Sequence, residues 1–185
     1  MARERSELIG RAVECLTAGT AFILLSILPC GARTASLSVK DLLVLGRAIA
    51  FMQPVPGPDA VIAVAYAPGD PASRQDAEAI MALIGGGLPV GQSVLKARLI
   101  DSTNSDRAGF QIVIAAVGAN GPRLSVAARA ARALCVTSET EAVRAGFCAM
   151  AIRSEPRVEI LVNHAASSAS GIEFAAAFRM MIQEI

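Results

Sequence analysis

Four apolar runs alternating with helix-like segments constrain the fold of this chain most. Ala60 to Tyr66, Ser93 to Ile100, Phe110 to Val117 and Leu134 to Ser138 are short and rich in Val, Ile and Leu, as expected of strands. Phe110 to Val117 is the most apolar and is expected at the centre of a sheet. Ser93 to Ile100 mixes Lys96 and Arg98 into its alternation and is expected near an edge. Between the strands lie segments with helical spacing. Val39 to Met52 carries Leu42, Leu45, Ile49 and Met52 on one stripe and ends at Pro54, Pro56 and Pro58. Asp76 to Ile84 stops at Gly85-Gly86-Gly87, and Leu124 to Ala133 leads into the fourth strand. Alternation of this kind predicts parallel strands joined by right-handed crossovers. The pattern then changes. Phe147 to Ile152 and Arg157 to Asn163 are separated only by Arg153 to Pro156, which predicts an antiparallel hairpin. A break at Gly171 precedes a last helix from about Phe174 to Gln183. The expected class is α/β: a mostly parallel sheet flanked by helices, ending in an antiparallel hairpin and a C-terminal helix.

The N-terminus has the shape of an export signal. An uncharged, largely apolar stretch from Cys15 to Leu28 follows Arg3, Arg5 and Arg11 and precedes a run of small residues. At 14 residues it is short of the roughly 20 that a helix needs to span a bilayer, so a cleaved leader over residues 1–35 is expected rather than an anchor. Cleavage is expected after Ala35, in Ala32-Arg33-Thr34-Ala35, or after Ala32, in Cys30-Gly31-Ala32. Leu28 and Pro29 disfavour a lipoprotein signal ending at Cys30. Residues 36–185 then form a single domain, working in the periplasm.

Of 17 Lys and Arg and 16 Asp and Glu, four and three fall in the leader, leaving 13 of each and no net charge. Nucleic-acid binding draws on clustered basic charge and stacking aromatics, and the chain offers neither. Cys15 and Cys30 leave with the leader. Cys135 and Cys148 remain, a candidate disulfide in an oxidising compartment, or else two buried free thiols. One histidine and two separated cysteines do not make a dedicated zinc site, so no metal or other cofactor is expected.

No catalytic constellation emerges either. The first strand-to-helix turn, Ala67-Pro68-Gly69-Asp70-Pro71, is a poor phosphate cradle, and the triple glycine ends a helix, where carbonyls repel anions. His164 follows the last strand, while Ser138 and Cys135 lie on the fourth, and no strained nucleophile turn surrounds any serine. Glu139 and Glu141 are expected in a solvated loop. Glu155 and Glu159 flank the hairpin turn without an acidic partner. Non-enzymatic binding is therefore the expected class. One version is a small-molecule domain using the mouth of the sheet near Tyr66, Val117 and Ser138, with Asn120 as a further polar group.

Several stretches, in a likeness that extends over nearly all of Val39 to Met181, carry a resemblance. VKDLLVLGRAIAFMQP, from Val39, resembles the first helix of the YfiR-like (HmsC-like) periplasmic proteins, and AVIAVAYAPGDPASRQDAEAI, from Ala60, resembles their first strand, Gly-Asp-Pro turn and next helix. LCVTSETEAVRAGF, CAMAI and RVEILVN match the spacing of the family's Thr-Ser turn, Gly-bearing loop and hairpin ending in Asn, here Asn163, with Gly171-Ile172 before the last helix. Gln53 replaces the family's Trp, Phe147-Cys148-Ala149 replaces a glycine-rich segment, and Ala175 stands where a Ser caps the final helix. The resemblance implies an exported dimeric regulator that binds the periplasmic sensor domain of a membrane diguanylate cyclase and restrains cyclic di-GMP synthesis, and with it biofilm formation. It also implies that a Cys135–Cys148 bridge makes repression sensitive to reductant. For the partner-binding surface, the apolar positions of the last helix, Phe174, Phe178 and Met181, are the expectation, with core packing as the competing explanation of their spacing.

Overall fold

The computed structural model describes residues 36–104 and 109–185; the expected leader and its cleavage points lie outside them. The first helix, α1 (Val39–Ile49), begins where Ser38 and Asp41 close a capping box: the Ser38 hydroxyl accepts from the Asp41 amide, and the Asp41 carboxylate accepts from the Ser38 amide at 2.7 Å. Its stripe of Leu42, Leu45 and Ile49 is buried, and Met52 belongs to the two-residue strand β1 (Met52–Gln53). There follow β2 (Val61–Tyr66), α2 (Pro71–Ile84), β3 (Leu88–Val90), β4 (Ser93–Asp101), β5 (Ile112–Ala115), α3 (Pro122–Ala130), β6 (Leu134–Thr137), α4 (Thr140–Arg144), β7 (Met150–Arg153) and β8 (Glu159–Val162). The chain closes with α5 (His164–Ala169), β9 (Glu173–Phe174), α6 (Ala176–Arg179) and β10 (Gln183–Glu184).

Eight strands form one sheet in the order β10-β8-β7-β6-β5-β2-β4-β3. The five strands from β4 to β7 are all parallel, and in chain order they read 2-1-3-4-5, a doubly wound arrangement. The α/β class, the central place of the third run and the antiparallel hairpin of β7 with β8 are as the sequence predicts. The second run, β4, lies one strand in from the rim, because the short β3 folds back along it. Pro89 sits in that outer strand and removes a donor from the exposed edge.

Side-chain size sorts the two faces of the sheet. Ile62, Val64, Ile112, Ile114, Leu134 and Val136 point toward α1 and α2, while Ala63, Ala65, Val113, Ala115 and Cys135 point toward α3 and α4. Strict alternation along each strand delivers this division, because successive side chains leave opposite faces. The smaller side chains belong to the α3 side, where Ala128 of that helix is among the residues buried against them.

Three elements differ in extent from the sequence expectation, each for a local reason. Helix α2 starts at Pro71 rather than Asp76, since Asp70 caps it by accepting from the Ala72 and Ser73 amides and Pro71 suits the first helical position. Its C-terminal Gly85 takes a positive φ of 54°, the stop that the triple glycine predicts. Glu139 and Glu141 border or join a helical turn, α4, rather than an open loop. The C-terminal helix is present but confined to α6, a single turn flanked by β9, which pairs with β1, and β10, which joins the main sheet beside β8. Its cap position, Ala175, provides no side-chain hydrogen bond.

Candidate functional site

Strand β6 brings the two remaining cysteines together. Cys135 lies on its α3-facing side, and the turn after α4 returns Cys148 beside it, with Cα atoms 4.8 Å apart in a disulfide. Both residues are buried. The pair anchors β6 to the segment that leads into β7, and Asn163 secures the next junction. Its Nδ2 donates to the Val143 carbonyl at 2.9 Å, while its Oδ1 accepts from the Ala166 amide at 2.9 Å and caps α5. Helix α4, the hairpin and α5 are thus held as one block around the disulfide.

The polar groups at the mouth of the sheet bond to one another. Asn120 donates to Thr137 at 3.1 Å, Thr137 accepts from the Glu139 amide, and Glu139 accepts from the Gly118 amide at 3.1 Å. Tyr66 is covered by the Arg74 guanidinium, 5.2 Å from its ring centre, and Val117 is exposed. These partnerships leave few polar groups there to orient a small ligand.

His164 lies elsewhere. Because β8 runs antiparallel to β6, a residue following β8 comes at the opposite end of the sheet from Ser138, which follows β6. The His164 Nδ1 faces Glu184 at 3.3 Å, and the same carboxylate receives Arg179 at 2.9 Å. Cys135 is committed to its disulfide. The three groups therefore do not assemble into a nucleophile and base. Among the described residues no group of His, Cys, Asp and Glu is arranged to hold a metal ion.

The last strands carry a concavity. On the α4 side of the sheet, β7, β8 and β10 extend beyond that helix and leave a groove of about 500 Å³. Buried Ala151 and Leu161 are among its lining residues, together with Thr140, Arg144, Arg153, Arg157, Glu159 and Met181. Arg157 pairs with Glu159 at 2.8 Å and Arg144 approaches Glu141 at 3.6 Å. The Arg157 hydrogen bond holds the Glu159 carboxyl below its ordinary range, and the charge of Arg153 adds to the pull. Arg153 itself is exposed and has no ion-pair partner within 4 Å among the described residues. The groove thus carries three guanidinium groups against one carboxylate. Such a surface attracts acidic groups.

The expected binding residues divide between core and surface. Phe174 and Phe178 are 7% and 3% exposed; Phe178 stacks on Phe51 with ring centres 5.5 Å apart and meets Phe174 at 5.2 Å. Their spacing serves packing. Met181 is 65% exposed and borders the groove, and the adjoining Met180 is 89% exposed. Sequence periodicity could not find the groove, because it depends on how far α4 reaches over the neighbouring strands. Among the described residues no helix is long and apolar enough to cross a membrane.

No model of a known protein family matches the chain, and no curated protein is significantly similar to it.

Proposed function

We propose that this protein is an exported, non-enzymatic regulator that binds the periplasmic sensor domain of a membrane diguanylate cyclase and restrains cyclic di-GMP synthesis. The partner docks an acidic segment in the Arg144, Arg153 and Arg157 groove, with Met180 and Met181 supplying apolar contact beside it. The observation that carries this reading is the groove itself: a basic concavity bordered by the exposed Met181, on the block of elements where the sequence resemblance is densest. Methionine suits such a surface because its flexible thioether adapts to a partner's shape. The separation of His164 from Ser138, and the commitment of Cys135 to its disulfide, support a binding role over a catalytic one.

Restraint follows from differential affinity. If the regulator binds the inactive sensor more tightly than the active one, occupancy shifts the cyclase toward the inactive form by that ratio and no more. The family likeness adds self-association as a homodimer to the proposal. Deleting the gene tests the reading: cyclic di-GMP and biofilm rise, and complementation with wild type restores them. Arg153→Glu reverses the one unpaired charge of the groove and is expected to weaken sensor binding by about tenfold or more while the fold persists. Unchanged cyclic di-GMP in the deletion strain would overturn the function, whereas full affinity in Arg153→Glu would overturn only the docking face.

A further inference from the structure

Among the described residues, the buried carboxylate of Asp76 has no cationic partner. Asp76, on α2, is 8% exposed and accepts three hydrogen bonds: from the Ser36 amide at 2.6 Å, the Ser36 hydroxyl at 2.8 Å and the Val117 amide at 2.9 Å. All three donors are neutral, and no Lys, Arg or His lies within ion-pair distance of it among the described residues. Buried carboxylates are ordinarily paired, because removing the charge from water is costly. The other buried aspartate, Asp41, has a different compensation: it sits in the first turn of α1, where the helix N-terminus favours negative charge. Asp76 is the sixth residue of α2 and lies beyond that turn.

We infer that leader cleavage falls between Ala35 and Ser36, and that the ammonium group it frees is the missing cation, making Asp76 an N-terminus-binding site of the mature protein. The inference rests on the proposed export of the chain. In the hydrolysis, carried out by a leader peptidase, water adds across the Ala35–Ser36 amide and the C–N bond breaks. The Ala35 carbonyl carbon gains the water oxygen and leaves as a carboxylate, and both water protons end on the Ser36 nitrogen, which with its own hydrogen becomes an ammonium group. An α-amino group titrates near pH 8, so this nitrogen is predominantly charged at neutral pH. It is the same atom that already sits 2.6 Å from the Asp76 carboxylate. Cleavage thus turns a hydrogen bond from a neutral donor into an ion pair without moving either group. Cutting after Ala32 would leave the Ser36 nitrogen an amide.

The position adds a consequence. Val117 follows β5 and Asp76 belongs to the helix after β2, so the carboxylate lies beside the point where the strand order reverses, the usual ligand crevice of open α/β sheets. Here the start of the mature chain takes that carboxylate.

Intact mass and N-terminal sequencing of the exported protein test the cut. A start at Ser36 is expected. A start at Arg33 overturns the inference while leaving export standing, and a chain that keeps Met1 overturns both. The ion pair is tested by comparing denaturant unfolding of protein beginning at Ser36 with protein that retains Ala35, each with and without Asp76→Asn. Retaining Ala35 is expected to raise the unfolding equilibrium constant about tenfold when Asp76 is present, the difference between a charged and a neutral donor to the same carboxylate. In the Asp76→Asn background the effect should vanish. An equal effect in both backgrounds overturns the pairing. Should Asp76→Asn fail to fold, equal stability of the Ser36 and Ala35 forms in the wild-type background overturns it alone.

Discussion

Gly46 shows how one position can set two effects against each other. It lies inside α1, where alanine would ordinarily favour the helix by about 1 kcal/mol. A Cβ there would collide with the backbone carbonyl of Pro89 on β3, an atom that cannot swing aside as a side-chain end can. Overpacking of this kind costs roughly 1 to 3 kcal/mol or more, so Gly46→Ala is expected to destabilise the protein on balance, read as a lower denaturation midpoint. A raised midpoint would mean that α1 and β3 separate easily. Asp41 supplies a prediction in pH. Burial pulls its pKa up, but the hydrogen bonds from Ser38 and Ser154 outweigh burial and leave it below the ordinary value of 3.8. A carboxyl whose folded pKa is depressed contributes stability above its unfolded pKa and loses it as pH falls through the folded value. Acid unfolding of Asp41→Asn should therefore show a shallower loss of stability than wild type below about pH 4. Parallel curves would remove the capping box from the acid response.

At the level of elements, the disulfide and the hairpin carry the next prediction. Cys135 and Cys148 close a loop with a sequence separation of 13, for which a cross-link stabilises a fold by about 3 kcal/mol, mainly by restricting the unfolded chain. Reductant should lower the denaturation midpoint of wild type and leave a Cys135→Ala, Cys148→Ala variant unmoved; a wild-type midpoint indifferent to reductant would sink the idea. The same elements show what the sequence could reveal. The buried runs of β2, β5 and β6 were legible because apolar stretches of strand length have few other homes, and Gly85 announced the end of α2. The start of α2 was also legible in principle, in Asp70-Pro71, a cap residue followed by the proline that suits the first turn. Strands β1, β9 and β10 were not: each has two residues, and only a partner distant in sequence gives them strand geometry. The cysteine pairing stood open in sequence because spacing cannot report whether two side chains face each other.

Across the whole molecule, zero net charge in the expected mature chain conceals a local imbalance. The groove beside α4 gathers Arg144, Arg153 and Arg157, while Glu159 is the one carboxylate among its lining residues. Composition averages this away, and only the topology, by carrying β8 and β10 past the last helix on that side, brings it into view. Phe174 and Phe178 are the reverse case: their spacing was visible in sequence, but their burial and their ring contacts required the fold. The division of the sheet into a large-residue face and a small-residue face has its own consequence for how the protein can vary. Between the strands and α3, where Ala63 and Ala115 sit at 0% exposure, added methyl groups have nowhere to go. Between the strands and α1, trimming Ile112 or Ile114 leaves a void. Divergence in this protein should therefore be lopsided: one layer admits no growth, the other resists shrinkage, and drift in either must be matched by an opposite change across the interface.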